Sequence, residues 1–350
     1  MLWPGSSVLE MMESGTRSGV ARLLAPGLAL FLSACGTADV DGNVTGGDGT
    51  EAASSTQALG GWTTLRTSSF PRPLHLGPRV AVLDGDSLCA DAEFVDRATG
   101  GVLFTEGAFC PLAFGSDETT VFMAGVTAFP VVKIYSRDLV VGATWREVTT
   151  LNGALGNRFT ILVDATHVYW DDGGIITRAP RGGGAQVALN SGSARFLRGL
   201  DGNTLYYYDY QGGSMGRMKV DGSGDGVLPG VSSLEELSFD STYIYGTASE
   251  HGKMYRINKS TLAVAILGDA SGRTYHHPIS TGSMLYWFED RSSTGVVARR
   301  RNLTNNNVVT VDFPYPDAPN FMNLYDNKMY VLTRATVDGV PQGLLIRGTP

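Results

Sequence analysis

The sequence predicts an all-β protein, a β-propeller of six or seven four-stranded blades behind an N-terminal signal and a flexible tether. Three observations carry this expectation. An aromatic residue recurs as Phe122, Tyr169, Tyr206, Tyr245, Tyr286 and Tyr330, at spacings of 47, 37, 39, 41 and 44 residues. That range suits one blade of four short antiparallel strands, with length changes absorbed by loops. Glycine is abundant, 45 of 350 residues, with no Gly-X-Y period, which fits many tight turns between short strands. No stretch after the N-terminal region carries a long helical period.

Each unit reads in the same order. A hydrophobic stretch ends in a polar turn, often Asp-x-x, and a second strand carries the aromatic. A turn rich in Gly, Ser or Asp leads to a third strand such as "GIITRAP" (Gly174–Pro180) or "GKMYRIN" (Gly252–Asn258). A fourth closes the unit, as in "AQVALN" or "TLAVAIL". Alternation in "GKMYRI" suits a strand with one buried face. The region from Trp62 to Pro111 has room for a further, divergent blade, with "GGVLFTEG" (Gly100–Gly107) as its second strand. The final unit ends after "GLLIRGTP", one strand short. An N-terminal segment such as "PRVAVLDG" (Pro78–Gly85) would supply the missing strand and close the ring, hiding edges that an open array exposes.

The N-terminus has a different composition. Arg17 and Arg22 precede the apolar run "LLAPGLALFL" (Leu23–Leu32), followed by Ser33, Ala34 and Cys35. Basic, apolar and small segments in that order describe an export signal, and ten apolar residues are too few to span a bilayer as a helix. Glu10 and Glu13 are atypical of a signal's basic region. "LSAC" resembles the lipobox of bacterial lipoproteins. That resemblance implies cleavage after Ala34 and lipid attachment at Cys35, palmitate being among the expected acyl groups. Gly36, where an aspartate is associated with inner-membrane retention, implies the outer membrane. The expected divisions are a signal peptide over 1–34, a tether over 35–61 and the propeller over 62–350. The tether is small and polar and lacks the apolar surface needed to offset its ordering entropy.

Cys89 and Cys110 are the remaining cysteines, and in an exported protein they are expected to form a disulfide. Two cysteines alone make a poor zinc site. The net charge of −7 and pI of about 5.3 disfavour a nucleic-acid surface. The one dense basic run, "ARRRN" (Ala298–Asn302), reads as a solvated strand end or turn.

"VYWDD" (Val168–Asp172), "GIITRAP" and "GGGAQVAL" resemble YWTD-type propellers, and more closely the exported propeller lipoproteins of soil bacteria. The resemblance covers about residues 114–347 and implies the fold. It implies little about activity, because such propellers host both enzymes and binding modules. "YYYDY" (Tyr206–Tyr210), "IYGTA" and "MYVLT" depart from the YWTD phrase.

No G-x-S-x-G elbow, P-loop or dinucleotide fingerprint stands in its required setting. "DGSGDG" from Asp221 lacks the ligand pattern of a calcium loop and reads as a tight turn. Of the five histidines, His75, His167 and His251 suggest no site, whereas "YHHP" (Tyr275–Pro278) suggests the rim of the ring. His276 and His277 are the candidates there for acid–base or ligand contacts, with Asp269 or Asp290 as carboxylate partners. Adjacent residues of an extended strand point to opposite faces, which argues against one shared site. The expected function is a lipid-anchored, monomeric binding or scaffold module of the bacterial cell envelope, recognising protein or glycan. No catalytic residue, metal or cofactor is expected, and no nucleic-acid partner. The alternative is an envelope hydrolase or lyase acting at the central channel.

Overall fold

A computed structural model describes residues 61–350, except 86–88, 90, 108–109, 129–130, 152–158, 193, 249–251, 271, 292–294, 312, 314, 316–318 and 350. Residues 1–60, which hold Cys35 and the segments expected to be the signal peptide and the tether, lie outside the described residues, as does His251. Among the described residues no helix is long and apolar enough to cross a membrane.

Seven four-stranded antiparallel sheets form the seven blades. Blade 1 comprises Arg72–Leu76, Val80–Asp84, Ala92–Asp96 and Val102–Glu106. Blade 2 comprises Cys110–Ser116, Thr120–Ala128, Val131–Asp138 and Arg146–Thr150. Blade 3 is built from Ile161–Val163, His167–Asp172, Ile175–Pro180 and Val187–Ala188. Blade 4 follows with Arg195–Asp201, Thr204–Asp209, Ser214–Lys219 and Gly226–Val227. Blade 5 contains Glu236–Phe239, Tyr243–Ala248, Lys253–Asn258 and Val264–Asp269. Blade 6 contains Arg273–Ser280, Met284–Arg291, Gly295–Asn302 and Val308–Val311. Blade 7 takes Phe321–Tyr325, Lys328–Val337 and Val340–Gly348 from the C-terminus and Thr63–Ser68 from the N-terminal side. The first strands of successive blades touch in a closed circuit, blade 7 returning to blade 1, so they line the ring.

Two strand expectations are corrected here. Val80–Asp84, inside the "PRVAVLDG" segment, is the second strand of blade 1, and the ring is closed by Thr63–Ser68 pairing with Val340–Gly348. Val102–Glu106 is the fourth strand of blade 1, not its second. Blade 1 escaped the aromatic repeat because Val82 stands where the other blades carry Phe or Tyr; it packs, as they do, toward the next blade.

The core is divided among the interfaces. Seven buried clusters each join two neighbouring blades, including blade 7 to blade 1. Alternation along the second strand explains the repeated phrase. Tyr169 packs toward blade 4 while Trp170 packs toward blade 2; Tyr286 and Trp287 divide blades 7 and 5 in the same way. Every recurring aromatic anchor faces the following blade. In blades 3 to 7 the anchor's cross-strand partner is an arginine: Arg178, Arg217, Arg256, Arg300 and Arg347 opposite Tyr169, Tyr206, Tyr245, Tyr286 and Tyr330. Three of these arginines reach a backbone carbonyl of the next blade: Arg178 to Val220 O (2.7 Å), Arg217 to Lys259 O (3.2 Å) and Arg347 to Ala98 O (3.4 Å). The "ARRRN" run is therefore not a solvated end. It lies in the third strand of blade 6, with Arg299 buried and Arg301 donating to Leu267 O.

Polar turns join first to second strands. Asp117, Asp164 and Asp240 each accept two backbone N–H bonds from the following residues. Although burial opposes it, these bonds hold all three carboxyls below the usual range. Asp221 caps its turn through Ser223, as the tight-turn expectation requires. Cys89 and Cys110 form the expected disulfide, tying the hairpin of blade 1 to the first strand of blade 2.

Candidate functional site on the ring-lining strands

His276 and His277 lie within the first strand of blade 6, Arg273–Ser280. The pairing register slips between His276 and Ile279, and His277 adopts φ +48°. This bulge removes the alternation that separated the two side chains. Both imidazoles turn toward one carboxylate, that of Glu236 at the start of the first strand of blade 5. His276 Nδ1 lies 4.0 Å from Glu236 Oε1 and His277 Nδ1 lies 3.5 Å from it. The expectation that adjacent histidines cannot share a site fails because the strand is not regular there.

The remaining bonds fix the geometry. The His277 backbone N–H donates to Glu236 Oε2, and Thr247 Oγ1 donates to the same oxygen at 3.4 Å. His277 Nε2 lies 3.0 Å from the Pro319 carbonyl oxygen, just before the first strand of blade 7. A carbonyl only accepts, so Nε2 carries the proton and Nδ1 is the atom presented to Glu236. The His277 ring also stacks near Phe321, with centroids 6.4 Å apart. One bulge thus joins the ring-lining strands of blades 5, 6 and 7.

The three side chains are 25% (His276), 14% (His277) and 29% (Glu236) exposed, so solvent or a ligand reaches each. Burial pushes the His276 imidazole below its ordinary value; Glu236 opposes this and His277 adds to it. The lowering favours the neutral form of His276, which is able to accept a proton or a hydrogen bond. Of the carboxylates proposed from sequence, Asp290 is a minor charge near His276, and Asp269 instead pairs with Lys253 at 3.8 Å. Glu236 was missed in the sequence because it sits in another blade, 40 residues before His276. Among the described residues no group of three or more His, Cys, Asp or Glu has the arrangement needed to hold a metal ion.

Asp171 and His75 each act between blades. Asp171 is buried and accepts the N–H groups of Thr160 (3.0 Å) and of Leu197 in the next blade (3.1 Å). Burial raises its carboxyl to about 6 despite those bonds. His75 Nε2 lies 2.8 Å from Ser116 Oγ of blade 2, and burial lowers its imidazole to about 4. His167 begins the second strand of blade 3, its Nδ1 2.7 Å from Thr166 Oγ1.

The depressed His75 value has a defined consequence. Between its unfolded value near 6.5 and about 4, the unfolded chain binds the extra proton, so this group's contribution to stability falls as pH falls. Asp171 has the opposite sign, since the native state binds the extra proton between 3.8 and about 6. The two oppose one another, so the measurement is a difference curve. Urea unfolding of wild type and His75→Asn from pH 7 to 4 should show wild type losing about 2–3 kcal/mol relative to the variant. Parallel curves would rule out a buried neutral imidazole.

No family model matches the chain, and no curated protein matches it in sequence. Solved structures share its fold. YCF48 bound to a D1 peptide superposes with a TM-score of 0.59 at 11% identity, over 85% of this chain and 100% of that one. One of two prolyl endopeptidases gives 0.57 at 16% identity, over 82% of this chain and 51% of that one. BamB from Moraxella catarrhalis gives 0.50 at 16% identity, over 77% and 84%. At these identities the likeness establishes the propeller fold and nothing about activity.

Proposed function

We propose that the chain is a binding or scaffold propeller of the bacterial cell envelope, held at the outer membrane by a lipid on Cys35, and that it recognises a protein or glycan at the ring-lining strands. The observation that carries the recognition site is the convergence of His276, His277 and Glu236 from two blades, braced by Pro319 of a third. These groups offer a hydrogen-bond acceptor, a donor and a carboxylate within one rigid, part-exposed patch. A peptide occupant has precedent in the fold, since the YCF48 structure holds one. The composition of 1–61 supports the anchor and tether.

The test has two parts. Palmitate labelling and membrane fractionation of wild type and Cys35→Ser examine the anchor; an unlabelled, soluble wild type would sink it. Capture from envelope extracts with wild type, Glu236→Gln and His277→Ala examines the site. A partner retained by wild type and lost by both variants is expected, and equal capture by all three contradicts recognition at this patch.

The alternative, an envelope hydrolase or lyase, is favoured by the same pair in one respect: a neutral His276 beside a carboxylate has the form of a general base with an orienting partner. Turnover of peptide or glycan substrates that disappears in His276→Gln, with binding intact, would transfer the assignment to this reading.

A further inference from the structure

A second polar cluster lies on the face of blade 6 that packs toward blade 5. Arg273, Glu289, Arg291 and Arg299 share that face through the antiparallel registers Arg273↔Arg291, Tyr275↔Glu289 and Trp287↔Arg299. Tyr275 and Trp287, on the same face, belong to the buried cluster between blades 5 and 6. Glu289 is buried and is the carboxylate on which all three arginines converge. Arg273 Nη1 and Arg291 Nε approach its Oε1 at 3.1 and 2.7 Å, and Arg299 Nε approaches Oε2 at 3.6 Å. Arg299 also donates to Thr310 Oγ1 at 2.7 Å.

Among the described residues three guanidinium groups face one carboxylate, an excess of two positive charges within a chain whose overall charge is −7. Among the described residues the nearby acids do not supply the difference. Asp290 points to the other face of the strand, and Asp269 is paired with Lys253. Arg273 and Arg291 remain 31% and 26% exposed, and among the described residues Glu289 is the only group their side chains bind. Arg273 keeps Nε and Nη2, and Arg291 both Nη atoms, for a further acceptor. Glu289 holds the two planar groups in place, so little rotamer entropy is lost when an anion arrives.

We propose that Arg273 and Arg291, oriented by Glu289 and backed by Arg299, form a binding site for a phosphate-type oxyanion at the rim between blades 5 and 6. The dianionic charge matches the local excess. Tetrahedral oxygens accept paired N–H bonds from guanidinium groups better than a single point charge does. This site is separate from the His276–His277–Glu236 patch and does not depend on the function assigned to it.

The test uses the full chain carrying Cys35→Ser, which cannot be acylated, titrated calorimetrically with inorganic phosphate against chloride at equal ionic strength. Saturable phosphate binding is expected, weakened about tenfold or more in Arg291→Gln and in Arg273→Gln. Both positions are part-exposed, and a circular dichroism spectrum confirms folding of each variant. A second arm uses vesicles containing phosphatidic acid. Vesicle binding that Arg291→Gln abolishes identifies a lipid headgroup as the source, whereas binding of inorganic phosphate alone identifies a free ligand. Wild type that takes phosphate no better than chloride, or variants that bind as tightly as wild type, overturns the proposal.

Discussion

A chain lacking residues 62–68 is expected to lose the single cooperative unfolding transition of the intact ring. Thr63–Ser68 is the outer strand of blade 7, and it is the only strand of that blade drawn from the other end of the described chain. Its bonds run to both sides of the closure. Its backbone pairs with Val340–Gly348, while Leu65 packs on the cluster shared by blades 7 and 1. Arg66 forms an ion pair with Glu93 of blade 1, whose carboxylate is almost fully buried. Leu65 O sits so close to Gly100 that a Cβ there would lie 2.1 Å away, and Gly100 has φ +76°.

Deletion therefore exposes a nine-residue strand edge, strands a buried carboxylate without its partner and opens the circuit of blades. An unpaired buried charge alone costs about 3–5 kcal/mol. The exposed edge also invites pairing with a second molecule. Calorimetry should show a broadened or absent transition, and gel filtration should show association. A sharp transition within about 2 °C of wild type, a shift of only about 1 kcal/mol in a domain of this size, would show that the N-terminal strand does not close the ring.

Replacing Trp170 by alanine should cost about 3–5 kcal/mol, the largest effect expected of any single core substitution here. Its indole is fully buried between blades 3 and 2, among Phe122, Ala124, Ile134 and Val168. Rigid sheets on both sides cannot collapse into the space, so the cavity remains and its cost adds to the lost transfer energy. Tyr210→Ala is the control. Tyr210 is an aromatic of the same repeat region but 68% exposed, and its loss should stay within about 0.5 kcal/mol. Urea denaturation of the two variants distinguishes these outcomes. Equal, small effects would mean that the blade 2–3 interface is not packed around the indole.

Particular residues show how far the sequence could be read. The anchors at Phe122, Tyr169, Tyr206, Tyr245, Tyr286 and Tyr330 located six blades because each must fill the gap to the following blade, a local demand repeated at each interface. Blade 1 meets that demand with Val82, a residue too common to mark a period. The paired arginines from Arg178 to Arg347 were also written in the text, in "ITRAP", "GRMK", "YRIN" and "LIRG". They recur as regularly as the aromatics, but only the cross-strand register reveals them as partners of the anchors. Tyr206 and Tyr208 pack toward blade 5 and Tyr207 toward blade 4's other neighbour, as alternation along a strand requires.

The candidate site was legible by half. The "YHHP" stretch singled out His276 and His277, yet regular strand geometry placed them on opposite faces. A bulge is a tertiary event: His277 adopts its left-handed conformation because Glu236 captures its N–H and Pro319 its ring. Neither partner is near in sequence.

Local patterning by itself determined the all-β architecture, the blade period and the Cys89–Cys110 pair, since strand alternation, turn chemistry and cysteine count act over a few residues or need no geometry at all. Which strand closes the ring, which carboxylate faces the two histidines and which charges gather around Glu289 were decided only by the tertiary structure. Those choices bring together residues from separate blades, and the ring's closure, which no local pattern encodes, sets which blades are neighbours.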